Sequence, residues 1–202
     1  RMQDQNADGD FMDAGEATQL VDPNDLTLGN PATTISSDDI RSVVVLPNGD
    51  CVWFEDDSRA WVRTTPAGVH SFFLIYRTLQ NSSGALPSIN PDFGTVLPAF
   101  TSRMYGAAMD PATGVVYLAT RDTNANPFIL ACLDGNADGD VNDAGEVILF
   151  FDGAASGFTR FYDVDWYQGS LYVALDKNPG VEFVQLTDAN GDGDAMDAGE
   201  AT

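Results

Sequence analysis

An all-β fold of four-stranded antiparallel sheets is what this 202-residue sequence predicts, and three observations carry the prediction. Short runs rich in Val, Phe and Trp recur along the chain, each closed by a turn sequence. The runs fall into sets of four, roughly 50 residues apart. One acidic pattern, DxNxDGDxxDxGE, returns three times without gaps, at what reads as the same place in the set.

Taken in order, Arg1 to Gln3 reads as the tail of a third strand, Asp4 to Glu16 as the first acidic loop, and residues 16–22 as a fourth strand, so that 1–22 makes half a sheet. Residues 35–78 hold a full set: Arg41 to Leu46, Cys51 to Phe54, Ala60 to Thr64 and Val69 to Tyr76, with turns such as PNGD and TPAG between them. In that set a plain turn near Pro66 stands where the others carry the acidic loop. Residues 79–100 (LQNSSGALPSINPDFGTVLPAF) are rich in Ser, Pro, Asn and Gly and read as a long connecting loop, either for binding or as a cover.

A second set fills 101–152, with strands Met104 to Met109, Gly114 to Thr120, Pro127 to Leu133 and Glu146 to Phe151 and an acidic loop at its third turn. A third set fills 158–202, with strands Phe161 to Tyr167, Ser170 to Leu175 and Val181 to Leu186, then an acidic loop, and no fourth strand. Such sets, with inner strands reading GVVYLAT and SLYVALD, have the pattern of β-propeller blades. The expectation is one β-propeller segment over 1–202, made of four-stranded antiparallel blades with calcium loops in the hairpins. Propellers typically close with about four to eight blades. Completion by a neighbouring repeat or a second copy of the chain is therefore expected.

In each acidic loop Asp, Asn and Asp alternate (Asp4, Asn6, Asp8; Asp134, Asn136, Asp138; Asp188, Asn190, Asp192), followed by Gly9, Gly139 or Gly193. In a tight turn that alternation aims three side-chain oxygens at one point, and the Gly permits the positive φ of the bend. Further oxygens would come from the backbone carbonyl of Asp10, Asp140 or Asp194 and from Asp13, Asp143 or Asp197, with Glu16, Glu146 or Glu200 closing the shell. Oxygen donors with no His or Cys among them suit Ca²⁺ better than Mg²⁺, which demands stricter octahedral geometry. The alternative, solvated acidic turns, sits poorly with three copies of identical spacing.

These residues resemble the calcium loops of EF-hands, of thrombospondin type 3 repeats and of integrin-type propellers, which open DxDxDG or DxNxDG. The resemblance covers 13 residues per copy. It departs from the EF-hand in placing Glu thirteenth rather than twelfth and in having strand-like flanks, so it does not imply a helix-opening sensor. What it implies is about three bound Ca²⁺ ions.

With 31 Asp plus Glu against 9 Lys plus Arg, the formal charge is −22, which repels nucleic acid and anionic membranes. Three Ca²⁺ ions would offset about six of those charges and stabilise the folded state by mass action. No apolar run approaches a membrane helix and Arg1 opens on a polar segment without a signal-peptide pattern, so a soluble segment with no membrane insertion is expected. Calcium is plentiful outside cells, so the expected setting is extracellular or at a cell surface, and the expected role structural or adhesive, in a fibre or tandem array.

The enzymatic alternative is a hydrolase like the β-propeller phytases or the gluconolactonase-like enzymes, but the nine basic residues are scattered singly and form no phosphate clamp. His70 and Ser71 are adjacent on a strand and point to opposite faces, which forbids a dyad. Asp163 and Asp165 share a face of an inner strand and could line a channel, although a solvated pair is the plainer reading. Trp53, Trp61 and Trp166 keep carbohydrate open as a ligand, while their apolar neighbours favour packing between blades. Cys51 and Cys132 lie in apolar strands as buried thiols, with one disulfide as the other option.

Overall fold

The computed structural model describes residues 40–55, 60–75, 105–121, 126–176 and 180–202, with the backbone of the pairs 27–28, 33–34, 80–81 and 84–85. The predicted half blade, with Asp4, Asn6, Asp8, Asp10, Asp13 and Glu16, lies outside them. Every described element is a β-strand. Two small hairpins pair β1 (Thr27–Leu28) with β2 (Thr33–Thr34) and β7 (Gln80–Asn81) with β8 (Gly84–Ala85). The second of these lies within the span read from sequence as a loop.

The rest forms three antiparallel meanders. The first sheet runs β3 (Ile40–Val45), β4 (Cys51–Glu55), β5 (Ala60–Thr64) and β6 (His70–Ile75). The second runs β9 (Gly106–Met109), β10 (Val116–Arg121), β11 (Pro127–Cys132) and β12 (Val147–Asp152). The third runs β13 (Arg160–Tyr167), β14 (Ser170–Asp176) and β15 (Val181–Leu186). Each strand pairs with its neighbours in sequence, and tight turns reverse the chain after β3, β5, β9 and β13. The turn after β5 is closed by bonds from Gly68 N–H to Thr65 O (2.9 Å) and from Thr65 N–H to Val69 O (2.9 Å). Observed strands start and stop within two residues of the predicted ones.

The three sheets stack face to face with their first strands side by side, β9 between β3 and β13. The second sheet is covered on both faces, which explains the unbroken apolar run PFILAC in β11. Phe128, Leu130 and Cys132 face the first sheet, where they meet Val52, Phe54, Trp61 and Leu74. Ile129 and Ala131 face the third sheet, against Val164, Leu171, Val173 and Leu175. Beyond β15, Ala201 pairs with Leu186, and Gln185 and Thr202 exchange two backbone bonds of 2.8 and 3.0 Å. A fourth ladder thus begins beside β15.

Candidate metal centre

Two of the three acidic loops, Asp134 to Glu146 and Asp188 to Glu200, are described, and they are built alike at a spacing of 188 − 134 = 54 residues. Each connects the third strand of its sheet to the place of the fourth. Leu133 N–H donates to Glu146 O (2.8 Å), and Thr187 N–H to Glu200 O (2.9 Å), closing the base of the loop. Gly139 and Gly193 adopt φ of 101° and 100°, the bend for which the pattern reserves a glycine.

Inside each loop, side chains take up backbone donors that the turn leaves without ladder partners. The first Asp accepts the N–H of the sixth residue: Gly139 to Asp134 Oδ2 (2.9 Å), Gly193 to Asp188 Oδ2 (3.0 Å). The Asn accepts the N–H of the fifth: Asp138 to Asn136 Oδ1 (2.9 Å), Asp192 to Asn190 Oδ1 (2.8 Å). The final Glu is buried, 8% exposed at Glu146 and 3% at Glu200, and both its oxygens are engaged. Glu146 Oε1 accepts from Gly135 (2.9 Å) and Asn136 (3.3 Å), and Oε2 from Asp143 (3.2 Å). Glu200 repeats this with Ala189 (2.9 Å), Asn190 (3.4 Å) and Asp197 (3.1 Å). Glu146 and Glu200, expected to close a cation's shell, each bond three backbone N–H groups of their own loop.

What converges on one point is smaller. Asn136 Nδ2 bonds Asp138 Oδ2 (3.1 Å) and Asp143 Oδ2, and Asn190 Nδ2 bonds Asp192 Oδ2 (3.0 Å) and Asp197 Oδ2 (2.7 Å). Two carboxylates thus meet about an amide in each loop, and among the described residues no three His, Cys, Asp or Glu side chains close round a common centre. Asp140 and Asp194 point their carboxylates at the N–H two residues on, Asn142 and Met196, both at 2.8 Å. Burial, followed by the charges of Asp138 and Asp143, raises Asp140 above its ordinary 3.8 against the lowering effect of the Asn142 bonds. The donors are all oxygen, the ligand type that a hard divalent cation takes. Asn136 or Asn190 would present its oxygen to the shared point if the amide turned over, at the cost of the bond that this oxygen accepts from Asp138 or Asp192 N–H.

One loop residue was not singled out from sequence. The eighth position is apolar in every copy, Phe11, Val141 and Ala195. Val141 and Ala195 are fully buried, and each donates its N–H to the outermost strand of the preceding sheet: Val141 to Phe73 O and Ala195 to Phe150 O, both at 2.8 Å. Each loop is therefore a clasp between sheets as well as a turn within one.

The remaining candidates fall into place as packing or surface. Trp53 and Trp61 are buried, and Trp166 is half-buried and stacked on Tyr117 with centroids 5.0 Å apart. Asp163 and Asp165 are exposed, each accepting the N–H of the next residue at 2.9 Å. Thr64 Oγ1 accepts from Trp53 Nε1 (2.8 Å) and shares a second bond with His70 Nδ1 (2.9 Å). Both cysteines are free thiols, and burial pushes that of Cys132 far above its usual range.

No protein-family model matches the chain, and no curated protein matches it. Among solved structures, the PQQ-bound form of aldose sugar dehydrogenase from Streptomyces coelicolor is similar at 16% identity and a TM-score of 0.50, over 81% of this chain and 50% of the other. A catalytically inactive virginiamycin B lyase from Staphylococcus aureus with quinupristin is similar at 14% identity and a TM-score of 0.40, over 75% and 42%. The chain thus spans about half the length of the first of these structures. At 16% identity the likeness to the sugar dehydrogenase speaks to fold alone, and it supports a propeller-like all-β architecture.

Proposed function

We propose that this chain is a calcium-stabilised segment of a β-propeller with a structural or adhesive role outside the cell, its sheets serving as blades. The observation that carries the reading is the clasp: two loops of one acidic pattern make the same internal bonds and each ties its sheet to the one before it. A cation drawn to such a loop would act on the packing between sheets, because the residue that seats the loop is two or three positions from the converging carboxylates. The net charge of −22 gives the folded chain a further reason to take up cations. About three Ca²⁺ ions are proposed, one per loop.

Copies of the same chain are the proposed partners. The outward face of the third sheet carries Tyr167, Tyr172 and Phe183, the last 79% exposed, at positions that register in the ladders places on one face. A second copy's sheet would bury it as the second sheet buries its neighbours.

The test is a calcium titration followed by calorimetry and by size-exclusion scattering. Calcium is expected to raise the melting temperature saturably, with about three ions bound, and to sustain assemblies that chelator disperses. An unchanged melt would remove the metal assignment. A raised melt on a monomer at every concentration would keep the metal and remove the assembly.

A further inference from the structure

The internal repeat lets one interface serve as the reference for the next. The β3–β4 hairpin is closed by Leu46 N–H to Asp50 O (2.7 Å) and the β9–β10 hairpin by Asp110 N–H to Val115 O (3.0 Å), which makes Asp50 and Val115 equivalent. Cys51 pairs with Thr64 and Val116 with Cys132, so Arg63 and Ala131, each one residue earlier, are equivalent as well. Between the first and second sheets the two positions hold an ion pair: Arg63 Nη2 lies 2.5 Å from Asp50 Oδ2, and Asp50 is 4% exposed. The guanidinium lies against Gly139 of the following loop, closely enough that a Cβ there would collide with Nη1. Between the second and third sheets the same positions are Val115 and Ala131. A cleft of about 460 Å³ opens there, reaching Gly193, the counterpart of Gly139.

The walls of that cleft suit the group that is missing. Its apolar side includes Tyr117 and Trp166, stacked on each other 9° from parallel, so that the inner ring faces cover each other and an outer face is left to attract a cation. Three carboxylates border it, of which Glu146 is already engaged by the N–H groups of its own loop. Asp110, 9% exposed, is held by Ala112 N–H (2.9 Å) and the Thr113 hydroxyl (2.7 Å), and Asp188 opens the third-sheet loop. Burial, then Asp110 and Asp188, push the Tyr117 hydroxyl up to about 12, in keeping with carboxylates close to its ring. In the first sheet the hairpin's carboxylate ends the turn, at Asp50; in the second it begins the turn, at Asp110.

We propose that this cleft is a binding site for a guanidinium or ammonium cation on an aliphatic stem, which takes the place that Arg63 fills in the sister interface. The cation rests against the outer side of the Tyr117–Trp166 pair with Asp110 as its counter-ion. Its source is either a small free amine or the basic side chain of a peptide, and the chemistry of capture is the same.

The test is titration of the whole chain at saturating calcium with agmatine, with an arginine-containing tetrapeptide, and with butylurea as a neutral analogue, read by tryptophan fluorescence and calorimetry. Agmatine or the peptide is expected to give a saturable change in tryptophan emission, absent in Trp166→Phe, that butylurea does not, and tighter binding of the peptide assigns the source to a protein side chain. Asp110→Asn is expected to weaken binding about tenfold. The double variant Val115→Asp with Ala131→Arg rebuilds the sister pair inside the cleft and is expected to abolish binding while keeping a cooperative melt. Equal binding of butylurea, failure of both cations to saturate, or binding that survives the double variant would overturn the proposal. The cleft shares Asp188 and Gly193 with the third-sheet loop, so calcium is held constant in every arm, and loss of the calcium-dependent melt is read separately from loss of agmatine binding.

Discussion

Gly139 and Gly193 stand at the same place in their loops, in a backbone region that favours glycine, yet their surroundings differ. A Cβ at Gly139 runs into the Arg63 guanidinium, which Asp50 holds in place, whereas at Gly193 it meets Ile148 Cδ1 at 3.4 Å. Gly193→Ala is therefore expected to cost about 1 kcal/mol from its φ alone, and Gly139→Ala about 3 kcal/mol, as urea melts at saturating calcium would measure. His70 supplies a pH dependence. Burial holds it below its ordinary 6.5, so the unfolded chain takes up the proton first. The stability tied to neutral His70 is complete above about pH 6.5 and is lost as pH falls from there through the lower folded value. In His70→Gln the melting temperature is expected to change less between about pH 7 and pH 5 than in the parent, as calorimetry over that range would register.

Strand β11 shows what burial on two faces demands. Ile129 and Leu130 are adjacent, fully buried and aimed at different sheets. Truncating either to Ala is expected to cost about 3 kcal/mol by chemical denaturation, while Phe183→Ser on the open face of β15 should leave the monomer within about 0.5 kcal/mol. The same contrast explains how much was legible in sequence. Strands such as GVVYLAT and PFILAC announced themselves through apolar side chains and bounding turns, and the acidic loops through spacing. The pairs Thr27–Leu28 with Thr33–Thr34, and Gln80–Asn81 with Gly84–Ala85, were not legible, because two residues carry no period. Nor was the site complete. The apolar eighth position of each loop was a readable signal, but its acceptor lies in another sheet, and no local pattern names Phe73 or Phe150. The Arg63–Asp50 pair joins two strands across a sheet, and its absence one sheet later, at Ala131 and Val115, emerges only once registers are aligned.

At the scale of the whole molecule a charge of −22 opposes folding through repulsion that acts over the Debye length, about 10 Å at 0.1 M salt. In chelator, added sodium chloride is expected to raise the melting temperature gradually by screening. Calcium chloride at equal ionic strength should raise it further and saturate, and the difference between the two calorimetric curves isolates site binding from screening. The clasps bear on a different property. Val141 ties back to Phe73 and Ala195 back to Phe150, always towards the N-terminal neighbour, so the stack has a direction. Removing an early sheet strips the seat from the loop that follows; removing the last one leaves every earlier seat in place. Unfolding that starts at the third sheet is expected to leave the Val141 seat on Phe73 intact, whereas unfolding that starts at the first sheet takes that seat away.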